Sequence, residues 1–401
     1  MPRVDKISHI NIQIKDIQLF TANKYLEESL NKRRNTGCLR TIKIMHGLVD
    51  FCSNDYLGFS TTGALRAKIL ELEQKQARHI YEGSTGSRLI SGNSAIIESL
   101  EEYIASFHNS EAALLFNSGY DANIGLFSCV PKRGDTIFYD ELVHASIRDG
   151  IRLSYAKAYS FKHNDISNLN ELIKLAKGSV FVAVESVYSM DGDIAPLKEL
   201  VSFCEENNAN LIVDEAHATG VFGNAGEACI SDLMLEKRVF ARIHTYGKAL
   251  GTHGASVVGS NLLKEYLINF ARSFIYTTAL PYHSIIAIKC AYNLLTESDE
   301  MRNSLHENIK LFTHLLSKNG IINKQNSISP IQCILIEGNE NVINAALKIQ
   351  KRGFDVRPIM SPTVPEGKER LRICIHAFNT ENEINGLVEA IDSIKLSLLS
   401  D

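Results

Sequence analysis

Short apolar runs alternate with helical segments between residues 110 and 260, and this alternation constrains the fold more than any other feature. The apolar runs are bounded by polar residues or glycine and lie at 112–116, 136–138, 180–185, 210–214, 239–243 and 256–259. Runs of this kind suit buried strands of a parallel sheet. With helical segments at 145–153 and from about residue 196, the βαβα order predicts an α/β fold, a mainly parallel sheet covered by helices on both faces.

The pattern changes after about residue 285. Helical stretches near 281–298 and 300–319 lead to a strand at 331–336, a helix at about 340–352 and a strand at 371–375. This mixture is typical of a smaller α+β domain, and a chain of 401 residues suits one large and one smaller domain. We predict an N-terminal segment (1–60), a large domain (61–285) and a small C-terminal domain (286–401).

The N-terminal segment gives weaker signals. Apolar residues within 17–26 fall at roughly helical spacing. The basic cluster at 32–34 suggests the solvated end of a helix, with contact to an anionic substrate as the alternative. Apolar runs at 40–44 and 48–52 are joined across Gly47, which predicts a hairpin.

Charge and cysteine usage exclude several classes of function. The formal net charge is −4, so no basic excess points to nucleic acid or an anionic membrane. The eight cysteines form no C-x-x-C pair, which favours reduced, mostly buried thiols over a zinc site or disulfides. No apolar run is long enough to cross a bilayer, and the N-terminus leads into no apolar signal segment. We expect a cytoplasmic protein without a metal site, nucleic-acid partner or membrane insertion.

One lysine, Lys248, lies in a loop between two of the predicted strands, with Gly247 before it and Gly251 after it. Glycine lets the backbone turn sharply and approach a ligand closely. An isolated lysine in a loop is ordinarily a solvated surface charge. A lysine that bonds covalently to a carbonyl must be partly desolvated so that its neutral amine is available, and a loop between buried strands can provide that.

Acidic and imidazole side chains follow the neighbouring strands. Asp214 ends one apolar run, His217 comes three residues later, and Lys248 follows the next strand. Ligands of open α/β sheets bind at these carboxyl ends. This order is the pattern of pyridoxal phosphate (PLP) enzymes, in which a buried carboxylate keeps the pyridine nitrogen protonated. A single histidine is more often structural, but His144 also follows a strand, and two such histidines beside an aspartate favour a site.

Two glycine-containing loops are candidates for phosphate binding. The loop at 82–93 is rich in glycine and hydroxyls but lacks the lysine of a P-loop, so it is a weak signal. Ser118 and Gly119 follow the strand at 112–116 and open a predicted helix. A helix N-terminus offers free amides and a positive dipole end, so we expect the cofactor phosphate there. An ordinary capped helix is the alternative.

The motifs together resemble the α-oxoamine synthase family, PLP enzymes of fold type I with a large, mainly parallel sheet domain and a smaller C-terminal α+β domain. The resemblance runs from about Phe51 to the end of the chain and rests on SNDYLG (53–58), GSTGSRLISGN (83–93), NSGYDAN (117–123), DELVHASI (140–147), ESVYSMDGDIAPL (185–197), DEAHATGVFG (214–223) and TYGKALG (245–251). Within the family, segments 270–278 and 362–373 look most like the 8-amino-7-oxononanoate synthases. Residues 252–254 depart from any spelling that we associate with one subfamily.

The resemblance implies a role for each matching residue. Lys248 would hold PLP and move the substrate α-proton, Asp214 would pair with the pyridine nitrogen, and His217 and His144 would contact the phenolic oxygen and the ring face. The remaining cofactor contacts would come from Ser118, Gly119, Tyr120, Glu185, Ser189, Thr245, Thr277 and Thr278. The substrates would contact Asn54, Arg88, Thr363 and Arg372, whose guanidinium suits a carboxylate.

The resemblance also implies a reaction and an assembly. The family condenses an amino acid with an acyl thioester and releases CO₂ and the thiol. L-Alanine and a pimeloyl thioester are expected here, and glycine or serine with another thioester is the alternative. An aminotransferase, or a regulatory subunit on the same fold, is also an alternative, although such a subunit would be expected to lack Lys248 or Asp214. By analogy with the family we expect a homodimer with shared active sites, in which Thr277 and Thr278 reach the partner's PLP phosphate.

Overall fold

The computed structural model describes residues 21–42, 44, 47–75, 83–321 and 327–398. Residues 17–20, which carry part of the predicted N-terminal helical pattern, and residue 82, the start of one predicted loop, lie outside this range. The first described element is helix α1 (Thr21–Asn35), whose basic last turn is exposed. The interpretation of residues 32–34 as a solvated helix end is therefore confirmed.

The strands of the fold are short. They are β1 (Val49–Asp50), β2 (Ala112–Phe116), β3 (Thr136–Asp140), β4 (Lys157–Phe161), β5 (Val180–Glu185), β6 (Ala209–Asp214), β7 (Ala241–Thr245), β8 (Ala255–Gly259), β9 (Ile331–Leu335), β10 (Phe354–Asp355), β11 (Arg357–Ile359) and β12 (Arg370–Cys374).

The helices after α1 lie between and after these strands. They are α2 (Ala64–Lys75), α3 (Ala95–Phe107), α4 (Gly119–Cys129), α5 (Ala145–Leu153), α6 (Ile166–Leu172), α7 (Leu197–Glu206), α8 (Cys229–Asp232), α9 (Asn261–Phe270), α10 (Arg272–Ile275), α11 (Tyr282–Thr296), α12 (Asp299–Lys318), α13 (Asn339–Lys351) and α14 (Glu381–Leu398). Short 3₁₀ turns follow α6 and α8, at Ile173–Leu175 and Glu236–Arg238.

The large sheet contains seven strands in the order β2-β8-β7-β6-β5-β3-β4. Neighbours from β7 to β4 are parallel, and β8 runs antiparallel to both β7 and β2. The predicted mainly parallel sheet is confirmed. Because β2, β3, β5, β6 and β7 share one direction, their carboxyl ends lie at the same edge, where open α/β sheets bind ligands.

The two faces of this sheet are buried against different helices. Along β2, Ala113 and Leu115 join one apolar cluster, and the alternate residues Leu114 and Phe116 join another. Alternation follows from the two-residue period of a strand, and a sheet covered on both faces reads as a continuous apolar run. The first cluster continues into α12, α14 and β9, so the predicted domain boundaries stay a prediction.

A second sheet is smaller and antiparallel, with the order β11-β12-β9. The predicted hairpin at 40–44 and 48–52 is wrong. Instead β1 pairs in parallel with β10, three hundred residues further along the chain, and Ile42 and Ile44 are exposed. Exposed apolar residues at 42 and 44 bury too little surface to hold a strand in place, whereas the β1–β10 pair is closed by backbone bonds to Gly353 and Asp355.

Helix α3 begins after Ser94, whose side chain makes no capping hydrogen bond. The helix is instead fixed by burial of Ile97, Leu100 and Ile104 on one face. Among the residues that the structure describes, no helix combines the length and the apolar character needed to span a bilayer.

Candidate active site

The carboxyl edge of the large sheet gathers most of the predicted site residues. Glu185 and Asp214 end β5 and β6 and are register partners. Thr245 ends β7, and the loop that follows carries Lys248. Gly119 opens the helix after β2. The parallel strand order therefore brings these five positions, from four separate segments of the chain, to one edge.

Asp214 is held on both of its carboxylate oxygens. It is buried, with Asn123 Nδ2 donating to Oδ2 at 2.8 Å and the Ala216 amide donating to Oδ1 at 3.0 Å. Asn123 Nδ2 also lies 3.0 Å from Ser146 Oγ. A buried carboxylate held on both oxygens is well suited to stabilise a positive charge beside it. Sequence reasoning missed Asn123, whose signal is an amide on a buried, otherwise apolar helix face.

Backbone hydrogen bonds close the loop that carries Lys248, which is half-buried. The Tyr246 amide donates to the Gly254 carbonyl at 3.0 Å, and the Thr252 amide donates to the Tyr246 carbonyl at 3.0 Å. Gly251 has a φ of 61° and packs against the Ser60 backbone, where an added Cβ would lie 2.6 Å from the amide nitrogen. Burial lowers the pKa of the Lys248 ammonium to about 8, despite the opposing charge of Asp214. The amine is therefore available as a nucleophile or base near neutral pH.

His217 connects the edge to the N-terminal part of the chain. Its Nδ1 lies 2.8 Å from the hydroxyl of Tyr56, which also lies 3.1 Å from Asn54 Oδ1. Burial lowers the pKa of His217 well below its usual value, so the imidazole is neutral. Sequence reasoning missed Tyr56, although it lies inside the SNDYLG motif, because its partner His217 is 161 residues away.

His144 caps helix α5 with its side chain. Its Nδ1 accepts from the Ser146 amide at 3.2 Å, and its own amide donates to Glu185 Oε1 at 2.5 Å. His144 is exposed to solvent, and partial desolvation of its imidazole lowers its pKa. Glu185 also accepts from the Ser189 amide at 3.3 Å, and burial raises the pKa of Glu185 to about 8.

The predicted phosphate end lies at the start of α4. Ser118 caps this helix, with its Oγ accepting from the Asp121 amide at 3.1 Å. A Cβ on Gly119 would clash with Thr245 Oγ1, so glycine is needed for the close approach of helix and strand. Tyr120 is exposed, and its hydroxyl donates to Asp149 at 2.5 Å.

Two more predicted residues lie next to this helix start. Asn117 Nδ2 donates to Thr277 Oγ1 at 3.0 Å and to the Thr278 carbonyl at 2.9 Å. Both threonines are therefore beside the α4 N-terminus of their own chain. Their predicted contact with a partner's PLP phosphate stays a prediction.

Arg372 extends from β12 towards the edge. Its Nη2 donates to Asn54 Oδ1 at 2.9 Å and its Nε donates to the Ser189 carbonyl at 2.7 Å. Its Nη1 lies 3.0 Å from Cys374 Sγ. The guanidinium thus faces only neutral partners in these bonds, which leaves its charge available to an anionic ligand.

A cavity of about 800 Å³ adjoins this cluster and shares His144 and Ser189 with it. Thr363 lines the cavity and accepts from Arg40 Nη2 at 3.2 Å. Its apolar lining residues include Leu142, Val143, Met190, Leu335, Val364 and Pro365. A cavity of this size is adequate for a small organic substrate.

Arg88 does not join the cluster. Its guanidinium forms an ion pair of 2.7 Å with the buried Glu101, and its Nε donates to Asn93 at 2.9 Å. These bonds anchor the glycine-rich loop to α3. The predicted role of Arg88 in substrate binding is untested by these contacts and stays a prediction.

The residues present fit pyridoxal 5′-phosphate. A desolvated amine at Lys248 and a buried carboxylate at Asp214 meet the needs of its aldehyde and its ring nitrogen. The close junction of Gly119 and Thr245 at a helix N-terminus suits its phosphate.

Comparisons with known proteins agree with this fit. Residues 46–391 match the family described as aminotransferase class I and II. An 8-amino-7-oxononanoate synthase of Emericella nidulans is 44% identical over 390 residues, covering 91% of this chain and 94% of the relative.

Two solved structures have the same fold over most of their length. A serine palmitoyltransferase of S. paucimobilis, solved with PLP and myriocin bound, superposes with a TM-score of 0.85 and 25% identity, covering 96% of this chain and 100% of that one. An 8-amino-7-oxononanoate synthase of Francisella tularensis superposes with a TM-score of 0.76 and 30% sequence identity, covering 89% of this chain and 100% of that one. The chain therefore belongs to the aminotransferase class I and II family, as a PLP-dependent acyltransferase of the α-oxoamine synthase group.

Proposed function

We propose that this enzyme is an 8-amino-7-oxononanoate synthase of biotin synthesis, which condenses L-alanine with a pimeloyl thioester. The reaction would release CO₂ and the free thiol, whether coenzyme A or a carrier protein. The 44% identity to the Emericella nidulans relative of that name supports this choice. The observation that carries it within the site is Arg372, which donates to Asn54 and to the carbonyl of Ser189, a residue that lines the cavity.

PLP, when bound, supplies an electron sink for the carbanion at the amino acid Cα. The protein would orient the substrate and move its protons. Lys248 Nζ would take the proton from Cα and return it after CO₂ leaves, which a pKa of about 8 allows near neutral pH. Asp214 would keep the ring nitrogen of the cofactor protonated.

Neutral residues would complete the cofactor contacts. His217 and Ser189 would contact the phenolic oxygen, and His144 would cover the ring face. The phosphate would be held by Ser118, Gly119, Tyr120 and Thr245, together with Thr277 and Thr278 of a partner chain. Glu185, which accepts a hydrogen bond from the His144 amide, would support His144 from behind. We expect the enzyme to be cytoplasmic and to form a homodimer. Sedimentation of an active monomer at assay concentrations would contradict the homodimer.

The substrates would bind on the side of Arg372. Arg372 and Asn54 would hold the amino acid carboxylate, because a planar guanidinium matches a carboxylate. Thr363, in the cavity wall, would contact the acyl donor, and Arg88 is the least supported of the proposed substrate contacts. Contacts with the carboxylate cannot distinguish alanine from glycine, so that choice depends on space near Cα.

A steady-state assay with a matrix of amino acids and acyl thioesters tests the proposal. We expect the largest kcat/KM for L-alanine with a pimeloyl thioester, compared with glycine or serine and with acetyl, succinyl or palmitoyl donors. One methyl group in an apolar pocket changes the free energy of transition-state binding by only about 1–3 kcal/mol, so glycine should still react, as a poorer substrate than alanine.

A sister synthase is the second candidate, because the S. paucimobilis serine palmitoyltransferase superposes closely. Types that use glycine with acetyl-CoA or succinyl-CoA belong to the same alternative. A larger kcat/KM for any of these pairs would overturn the choice of substrates and leave the PLP-dependent synthase reaction standing.

A further inference from the structure

Two arms of the chain carry the central site residues. The first is the segment after β6, which holds Asp214 and His217. The second is the end of β7 and its loop, which holds Lys248. Side-chain atoms join the arms, because His244 Nδ1 lies 2.9 Å from Thr219 Oγ1.

The bond lies in a buried part of the molecule. Thr219 and His244 have relative exposures of 1% and 0%. The imidazole of His244 stacks on that of His108, with ring centroids 3.6 Å apart and an interplanar angle of 21°. Arg242 is nearby and donates to the His108 carbonyl at 2.6 Å. A hydrogen bond in such buried surroundings is stronger than one exposed to solvent.

The direction of the bond follows from its neighbours. The Thr219 hydroxyl donates its one proton to the Glu215 carbonyl at 2.8 Å, so its oxygen is left to accept. His244 must then donate from Nδ1, as the neutral imidazole that burial and the nearby cation favour by lowering its pKa. Its Nε2 has no hydrogen-bond partner among the described residues.

We propose that Thr219 and His244 are positioning residues that fix Lys248 relative to Asp214, which rests on the roles proposed above for those two residues. The register of β6 and β7 ends at Asp214 and Ile243, after which the Glu215 amide donates to the Ile243 carbonyl. Beyond that point the arms are held by this side-chain bond and by the packing of Gly220 on Ala249.

The position of His244 in the chain makes the bond relevant to the chemistry. It directly precedes Thr245 and lies four residues before Lys248. Losing the bond leaves a buried N–H unpaired and frees the two arms to separate slightly. Displacements of about 1 Å at a reacting group reduce rates on the order of 100-fold, so smaller ones should have a measurable effect.

Thr219→Val tests the proposal in the full-length, PLP-loaded enzyme, because valine keeps the shape and removes the acceptor. We expect kcat to fall about tenfold, with KM for the amino acid changed less than kcat. The pH midpoint of the absorbance of Lys248-bound PLP should shift. Thr219→Ser, which keeps the hydroxyl, should retain the wild-type kcat and pH midpoint. His244→Asn, which keeps an N–H near Nδ1, should lose less kcat than His244→Leu.

The matched control is Thr136→Val. Thr136 is equally buried, and its hydroxyl donates to the Lys177 carbonyl at 2.9 Å at the amino end of β3, away from the site. A general loss of stability would lower the melting temperature of both valine variants and leave kcat and the pH midpoint of the control unchanged.

Unchanged kcat and pH midpoint in Thr219→Val would overturn the proposal, as would equal shifts in Thr136→Val. Borohydride reduction and peptide mapping of the wild type separate this failure from that of the site itself. Label on a lysine other than Lys248 would overturn both the site assignment and the positioning role.

Discussion

The Nη2 atom of Arg372 lies 2.9 Å from Oδ1 of Asn54, although 318 residues separate them in the chain. One residue comes from β12 in the small sheet and the other from the SNDYLG segment before α2. Their contact brings the C-terminal part of the chain to the carboxyl edge of the large sheet. It also fixes the direction of a guanidinium whose hydrogen bonds all go to neutral atoms.

Arg372→Lys should therefore raise KM for the amino acid by roughly 10- to 100-fold, because a lysine keeps the charge and loses the paired donors. PLP binding should change little. The matched control is Arg357→Lys, since Arg357 is the register partner of Arg372 on β11 but pairs with Asp355 at 2.8 Å. Steady-state kinetics at saturating thioester would measure both variants, and an unchanged KM in Arg372→Lys would refute carboxylate binding by this residue.

Lys248 should react with PLP at a lower pH than an ordinary lysine. Burial disfavours its charged form and lowers its pKa to about 8, from a usual 10.5. The amine is mostly protonated below this pH and mostly free above it. The rate of PLP binding to the apoenzyme should therefore rise with pH and level off above about 8.

Stopped-flow absorbance between pH 6 and 10 would measure this rate. Nα-acetyl-lysine, mixed with PLP in the same buffers and with its rate divided by its own free-amine fraction, corrects for the titration of PLP itself. Lys248→Ala should show no covalent phase. A corrected rate that continues to climb through pH 10 would contradict a lowered pKa.

Asp214→Asn should lower kcat on the order of 100- to 1000-fold, measured at saturating PLP, because the charge opposite the ring nitrogen is removed. Asn123→Ala should also lower kcat, but only roughly tenfold, because it removes the hydrogen bond to one oxygen of the Asp214 carboxylate and leaves its charge in place. Asn210→Ala is the control, because Asn210 donates to the Val180 carbonyl at 2.9 Å from the other end of β6. Near-normal turnover of Asp214→Asn would exclude the proposed role.

The sequence allowed the sheet edge to be predicted because parallel strands end together. Once Asp214 and Lys248 were assigned to strand ends, their proximity followed from the fold class. Strand β4 was missed because its burial is poor: Lys157, Ala158 and Ser160 are exposed, so its sequence shows no apolar run. The order of the strands is a tertiary property that local patterns do not contain.

The contacts that complete the site could not be predicted for a related reason. Tyr56, Asn123 and Thr219 each bond to a residue between 25 and 161 positions away. A polar residue on an apolar face indicates that a buried partner exists, but not which one. Their partners become identifiable only when the strand order is known.

His163, which also lines the cavity beside the site, provides a last test, on stability. Its Nδ1 lies 3.0 Å from Asp140 and its Nε2 lies 2.6 Å from Asp193. Burial lowers its pKa, but the hydrogen bonds to the two carboxylates outweigh this and raise the pKa to about 10, from a usual 6.5. The protonated ring thus ties β3 to the segment after β5.

When folding raises the pKa of a group, that group contributes fully to the stability of the folded protein below its unfolded pKa. The contribution is lost as the pH rises through its folded pKa. The wild type should therefore exceed His163→Gln in free energy of unfolding most at pH 6, and the difference should shrink between pH 6.5 and 10. Urea unfolding of both proteins at pH 6, 8 and 10 measures their free energies of unfolding. Subtracting the value of the variant from that of the wild type at each pH removes the contribution of other titrating groups. His314→Gln, at an exposed position on α12, controls for the replacement of a histidine by glutamine. A difference that stays constant or grows with pH would mean that His163 is neutral in the folded protein.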